Sequence, residues 1–132
     1  MRMQDKVAIV TGGASGIGRA TALLFAKEGA AVAVGDLQRT PRNGGEPTDG
    51  LIAAQGGRAF YLKTDVARWA DLDALVGETV RRFGRLDVIV NNAAAWNSKP
   101  LLEETEEGWD RVMAVNAKGV FFGCKRAVQQ MM

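Results

Sequence analysis

The chain has no histidine, a single cysteine, one tyrosine and three prolines. With Cys124 alone, no disulfide can close within the chain, so an exported fold stapled by bridges has no support and a reducing compartment is the expected setting. Cys124 also lacks any imidazole to activate it as a nucleophile and reads as a small packed residue. Long apolar runs are missing too. Val7 to Val10, after a polar start, is too short for a signal-peptide core, and no stretch reaches the length of a membrane span. A cytoplasmic location is the expectation. Charge of one sign is absent as well, since 17 Lys and Arg stand against 15 Asp and Glu, a formal net charge of +2. A pI near 8.9 leans basic, but no single-sign field marks nucleic acid or a membrane surface as a partner.

What is present is ordinary globular composition, 47% hydrophobic and 24% charged over 132 residues, enough for one domain spanning residues 1–132. Val7-Ala8-Ile9-Val10 is apolar at consecutive positions, as a parallel strand covered on both faces is. Helical spacing follows from Gly16 to Glu28, with Ile17, Thr21, Leu24 and Phe25 on one side and Gly29 as terminator. Ala31 to Val34 repeats the strand signature and ends near Asp36. Residues 58–62 predict a third strand, 71–83 a second strong helix and 88–90 a fourth strand. Residues 38–50 hold two prolines and three glycines and predict a flexible loop before a short helix near 51–55. From Thr105, a capping residue followed by Glu106 and Glu107, a last helix is expected to run to the final residue. Strands alternating with helices through right-handed crossovers imply an open, doubly wound parallel sheet of the α/β class. The fourth strand, apolar on both faces, has no fifth to cover its open edge.

Residues 11–18 read TGGASGIG between a strand and a helix, where backbone N–H groups at a helix start can meet a pyrophosphate. The spacing differs from G-x-G-x-x-G, and a glycine turn that only packs strand against helix stays open on this motif alone. A P-loop is excluded more firmly, because Gly18 is followed by Arg19 and Ala20 where lysine and a hydroxyl residue are required. Asp36 strengthens the dinucleotide reading. A carboxylate at the end of the second strand accepts hydrogen bonds from ribose hydroxyls and repels a 2′-phosphate, which favours NAD over NADP. Against this, Arg39 and Arg42 in the following loop could swing toward a phosphate, although they read first as solvated charges.

Thr11-Gly12-Gly13-Ala14-Ser15-Gly16-Ile17-Gly18, Asp36, Asp65-Val66, Asn91-Asn92-Ala93-Ala94 and Asn116, in this order over nearly the whole chain, resemble the short-chain dehydrogenases/reductases. The resemblance implies a Rossmann-type sheet ordered 3-2-1-4, with the Thr11–Gly18 turn on the pyrophosphate. It implies Asp65 and the Val66 backbone at the adenine, Asn92 and Ala93, with Ala94 beside them, at the nicotinamide ribose, and Asn91 tying the central strands. NADP-preferring members carry a basic residue at the place of Ser15 or directly after that of Asp36. Ser15 and Leu37 stand there in this chain. Ala94 departs from the family's usual glycine, a mild change if the backbone keeps a negative φ. Asp65 also has a plainer reading as a turn or helix-capping residue.

Trp109, Met113, Asn116 and Val120 share one stripe of the last helix, so an amide sits among apolar neighbours. By itself that suggests a structural asparagine bonded to nearby backbone. The resemblance implies a catalytic part, with Asn116 holding a water in a proton relay. Gly119, Gly123 and Ala127 form a second stripe suited to close backbone packing, and the resemblance associates this helix with a homo-oligomer interface. The family's Ser and Tyr-x-x-x-Lys do not occur here: the only tyrosine, Tyr61, is followed four residues later by Asp65. Ser98 and Lys99 lie nearest to where a small alcohol or ketone would sit. Two functions therefore remain: the N-terminal part of an NAD-dependent oxidoreductase, or a non-catalytic dinucleotide-binding module or inert fragment.

Overall fold

The unbroken apolar run near the start becomes β1, Val7–Thr11, with all five residues buried. In the computed structural model, which describes residues 1–132, β2 is Ala31–Asp36, β3 Ala59–Lys63 and β4 Val88–Val90. All neighbours pair in parallel in the order β3-β2-β1-β4, as expected for the α/β class. The register sets Val10 beside Val34 on one side and Val90 on the other. Alternate strand residues feed opposite faces. Ile9, Ala33 and Phe60 pack with Leu75, Val76 and Ala127, whereas Val10, Val32 and Val34 pack with Ala22 and Ile52. Helices α1 (Gly16–Lys27) and α2 (Thr48–Ala54) therefore cover one face, and α3 (Trp69–Phe83) the other. β4 pairs only with β1 and its three residues are half-buried, so its second edge is open.

Three expectations need correction. The buried stripe of α1 is Gly18 and Ala22, flanked by Leu23, Phe25 and Ala26. Ile17 and Leu24, expected inside, are 79% and 48% exposed. The helix lies too close to the sheet for large residues on its contact line, and both stripes are apolar, so periodicity alone does not choose between them. The loop expected at 38–50 ends at Pro47, because α2 begins at Thr48 and takes Asp49 and Gly50 into its first turn. Thr48 is buried, donates to the Gly13 carbonyl at 2.8 Å and accepts from Arg19 Nη1 at 3.0 Å, and Arg39 pairs with Asp49 at 2.9 Å.

The last helix is a continuous run in three parts: α4 (Glu106–Met113), a π-helical segment Ala114–Lys118, and α5 (Gly119–Met131). Thr105 caps it as expected, its Oγ1 accepting from Gly108 N at 3.0 Å. Its buried line is Gly119, Gly123 and Ala127. The stripe of Trp109, Met113, Asn116 and Val120 is exposed, contrary to the apolar pattern, because no other element of the chain packs against it. No helix is long and apolar enough to cross a membrane.

Asp87 fastens the start of β1 to the approach of β4. Its Oδ2 accepts from Val7 N at 2.9 Å, and Arg85 Nη2 donates to Oδ1 at 2.6 Å. The Arg85 guanidinium, followed by the Val7 N–H, holds the carboxyl below its ordinary value of 3.8. A carboxyl lowered in the fold contributes its full stability above 3.8 and loses it as pH falls through the lower folded value. Asp87→Ala is expected to cost about 1–2 kcal/mol at pH 7. In urea titrations the gap from the wild type should shrink steadily below pH 4 or so.

Candidate functional site: a glycine turn at the carboxyl ends of the strands

Thr11 closes β1 with a buried side chain whose bonds shape everything above it. Its Oγ1 donates to the Val90 carbonyl at 3.2 Å and accepts from Asn92 N and Ala93 N at 3.0 and 3.1 Å. The Asn92 carboxamide reaches back, donating to the carbonyls of Thr11 and Gly12 at 3.0 and 3.3 Å. Gly18 packs against that assembly: a Cβ there would lie 2.3 Å from the Gly12 oxygen and 2.5 Å from Asn92 Nδ2. Gly16 differs. It has φ +56 and a Cβ would touch nothing of the protein, so its bare backbone keeps open space in front of the helix start.

That start is unprotected. Helix α1 has no side-chain cap and no acidic residue in its first turn. The N–H groups of Gly16, Ile17 and Gly18 have no hydrogen-bond partner within the chain. Ser15, placed to cap them, instead accepts from Arg42 N at 2.8 Å. Free N–H groups and the positive helix end together suit an anion.

Asp36, at the end of β2, accepts from Ala14 N at 3.0 Å through Oδ2 and from Leu37 N at 2.7 Å through Oδ1. It thus braces the glycine turn while facing the same opening. The Tyr61 hydroxyl donates to the Asp36 carbonyl at 3.0 Å, and burial, followed by the Asp36 charge, raises its pKa. Asp65 makes a turn, its Oδ1 accepting from Ala67 N at 3.0 Å, while its own N–H donates to Asp71 Oδ2 at 2.9 Å. The plainer reading of Asp65 is therefore real, and it coexists with a place in the cavity wall.

These residues surround one cavity of about 450 Å³. The glycine turn supplies Gly12, Ser15, Gly16 and Ile17, and the end of β2 supplies Asp36 and Leu37. Asp65 and Val66 come from beyond β3; Asn92, Ala93 and Ala94 from beyond β4. Thr11 and Gly18 stand buried behind the wall and hold it. Asp5 is the only residue other than glycine with a positive φ, so Ala94 keeps the negative φ its Cβ needs. The sequence reading missed Thr64, Ala95, Trp96, Arg111 and Val115 and set Arg42 aside, although all six line the cavity. Arg111 and Val115 are four apart and one residue short of Asn116, so helical spacing was the available signal. Trp96 and Arg111 also border a polar cleft of about 470 Å³ that contains Ser98 and Lys99.

Asn116 does not line the cavity. It lies in the π-helical segment, where Nδ2 donates to the Ala95 carbonyl and Oδ1 accepts from Ala95 N, both at 2.7 Å. The amide is exposed, yet it binds the helix to the loop after β4. The small-residue stripe behind it packs within the chain, Gly119 on Val66 and Gly123 on Asn91, whose Nδ2 donates to Cys124 Sγ at 3.5 Å.

Residues 6–132 match the family model described as short chain dehydrogenase. An uncharacterised oxidoreductase of Thermotoga maritima is 44% identical over 131 residues, covering 99% of this chain and 50% of that protein. A 3-oxoacyl-acyl-carrier-protein reductase of the same organism is 42% identical over 124 residues, 92% of this chain and 48% of that protein. Among solved structures, a mutant short-chain dehydrogenase/reductase of Serratia marcescens superposes with a TM-score of 0.88 at 35% identity, over 98% of this chain and 52% of that one. A short chain dehydrogenase of Mycobacterium avium gives 0.87 at 37% identity, over 97% and 46%. The chain spans about half the length of the curated relatives it matches. Sheet order, the turn between Thr11 and Gly18 and the match along nearly all its residues agree: the chain belongs to the short-chain dehydrogenase family.

Proposed function

We propose that this chain is the coenzyme-binding portion of an NAD-dependent oxidoreductase that passes hydride between nicotinamide and a secondary alcohol or ketone. The observation that carries this reading is the start of α1, where three backbone N–H groups are left without partners beside a glycine whose missing side chain leaves open space. The residues present fit a diphosphate. Gly16 and Ile17, which line the cavity, would donate to it with Gly18 behind them seating the helix, Asp36 would accept from the ribose hydroxyls next to it, and Asp65 with the Val66 backbone would meet the adenine. Asn92, Ala93 and Ala94 take the second ribose. Bound there, NAD supplies the hydride acceptor, and the chain's own residues orient it and keep water from its ring. Asp36 opposes a 2′-phosphate, and neither Ser15 nor Leu37 offers a cation, which supports NAD over NADP.

Asn116 spends one donor and one acceptor site on Ala95, so one N–H and one lone pair of its amide remain. Being exposed, these can hold a water, the part the relay reading gives it. Tyr61, the one tyrosine, lies on β3, the sheet edge opposite β4, with its hydroxyl on the Asp36 carbonyl, and does not line the cavity as a general acid. A positioned acid or base is typically worth 10² to 10⁴ in rate, so residues 1–132 alone are expected to bind coenzyme and turn over little. That observation keeps a second reading, a dinucleotide-binding module without catalysis. The exposed apolar side of residues 105–132, with Trp109, Met113 and Phe121, supports self-association in a cytoplasmic homo-oligomer.

NADH titration read by tryptophan quenching tests the proposal, because Trp96 borders the cavity. Saturable binding is expected, and a folded chain without affinity for either reduced coenzyme contradicts it. Gly18→Ala forces the Gly12 carbonyl and Asn92 apart, so NADH affinity should fall more than about tenfold, with about 1–3 kcal/mol of stability lost to overpacking. Asp36→Ala is expected to weaken NADH by about tenfold, one lost charge-assisted hydrogen bond, and to raise NADPH affinity relative to NADH. Equal losses for both coenzymes would remove Asp36 from the ribose.

A further inference from the structure

Thr48 spends its hydroxyl outside its own helix. It is 1% exposed and stands at the first position of α2, where a threonine one place earlier would cap the helix, yet α2 has no side-chain cap. Its Oγ1 instead donates to the Gly13 carbonyl at 2.8 Å and accepts from Arg19 Nη1 at 3.0 Å. Gly13 precedes α1 and Arg19 lies within it, so one hydroxyl spans both sides of the helix start. Arg19 also settles the hydroxyl's direction: with a guanidinium N–H on the oxygen, the hydroxyl proton is left to Gly13.

The Gly13 carbonyl has no other partner. Gly13 is buried, and no backbone N–H reaches its oxygen. The N–H of the same peptide unit, that of Ala14, donates to Asp36 Oδ2 at 3.0 Å. Side chains from α2 and β2 therefore hold the Gly13–Ala14 peptide at both of its polar groups. Held at the N–H alone, the plane could still rock, because glycine resists no change of its own ψ. The second bond removes that freedom. Two residues on, Ser15 Oγ accepts from Arg42 N at 2.8 Å, so the loop between β2 and α2 is a strap fastened to the turn at Gly13 and at Ser15. The unpaired N–H groups of Gly16 and Ile17 follow directly. Resting on the coenzyme reading, we infer that Thr48 is a positioning residue for the diphosphate: without lining the cavity, it holds the turn through the Gly13 carbonyl in the form that presents those N–H groups, with Arg19 orienting its hydroxyl.

The test measures NADH dissociation constants by tryptophan quenching in the wild type, Thr48→Val, Thr48→Ser and Arg19→Met, at a temperature where thermal melting shows each to be folded. Thr48→Val keeps the shape and loses the hydroxyl, and NADH is expected to bind about fivefold more weakly, the worth of one hydrogen bond. Thr48→Ser keeps the hydroxyl and should stay within about twofold of the wild type. Asp87→Ala, which loosens the opposite end of the strands, controls for lost stability and should leave NADH affinity unchanged. Unchanged affinity in Thr48→Val, with NADH bound by the wild type, overturns the role of Thr48 and leaves the coenzyme reading intact. A serine variant as weak as the valine one, or an equal loss in Asp87→Ala, overturns it as well. If Thr48→Val does not fold, Arg19→Met decides. A loss relative to the wild type that persists in high salt supports the orienting contact, whereas unchanged affinity, or a loss that salt abolishes, overturns it. A wild type that binds no NADH defeats the coenzyme reading and this inference together.

Discussion

The Thr11 hydroxyl joins two stretches of backbone 81 residues apart. β1 and β4 lie side by side, but after Val90 nothing in the sheet itself dictates where the chain goes next. One hydroxyl that donates to Val90 O and accepts from Asn92 N and Ala93 N decides it. The Asn92 N–H is shared with Val90 O at 3.0 Å, whereas the Ala93 N–H relies on the hydroxyl and would cost about 1–3 kcal/mol if left buried and unpaired, so the exit path has little freedom. Asn92 then turns back onto the carbonyls of Thr11 and Gly12, and Gly18 seats α1 against the Gly12 carbonyl. The direction in which the free N–H groups of α1 point is the last link of a chain that starts at Thr11.

Two helices in the same molecule begin in opposite ways. Helix α4 starts at Thr105, whose hydroxyl accepts from Gly108 N, and carries Glu106 and Glu107 against the positive end of its dipole. Helix α1 starts at Ser15, a residue equally able to cap, and leaves its N–H groups bare while the serine hydroxyl serves Arg42 N. A cap is worth about 0.5–2 kcal/mol, so the uncapped start costs stability that the same sequence secures elsewhere. Local rules broken without structural gain mark functional positions. Here the break coincides with the cavity wall.

The strands were legible because burial on both faces removes polar alternation, leaving Val7–Val10 and Ala31–Val34 as plain apolar runs, whereas their order came from the family resemblance. The candidate site rests on the same logic of motif in context: eleven of the expected residues line one cavity although they come from four separate segments. What failed did so for lack of distance information. The side of α1 facing the sheet is chosen by how closely Gly18 approaches Gly12, which no periodicity encodes. Pro41 and Thr48 look like loop residues in sequence, yet their burial anchors the strap and starts α2. Arg42 was indistinguishable from Arg39 until Asp49 was seen to occupy only one of them. The exposed stripe around Asn116 was read as inward because apolar spacing records that a face wants covering, not what covers it.

The two ends of the cavity are built with unequal firmness. At the end formed by the glycine turn and β2, Asp36, Ser15, Gly12 and Asp65 are each tied by backbone hydrogen bonds to residues from other turns. The opposite end consists of Ala95, Trp96, Arg111 and Val115, and the first two hang from the last helix through one pair of bonds between Asn116 and Ala95. Asn116 sits within the π-helical segment, where an extra residue per turn widens the helix, and its side-chain amide matches the N–H and C=O of a single loop residue. On the coenzyme reading proposed above, most binding contacts belong to the firm end, whereas the geometry of the opposite end depends on one amide. The two ends of the cavity are consequently separable in this fold, one shaped by the glycine turn and the other by Asn116.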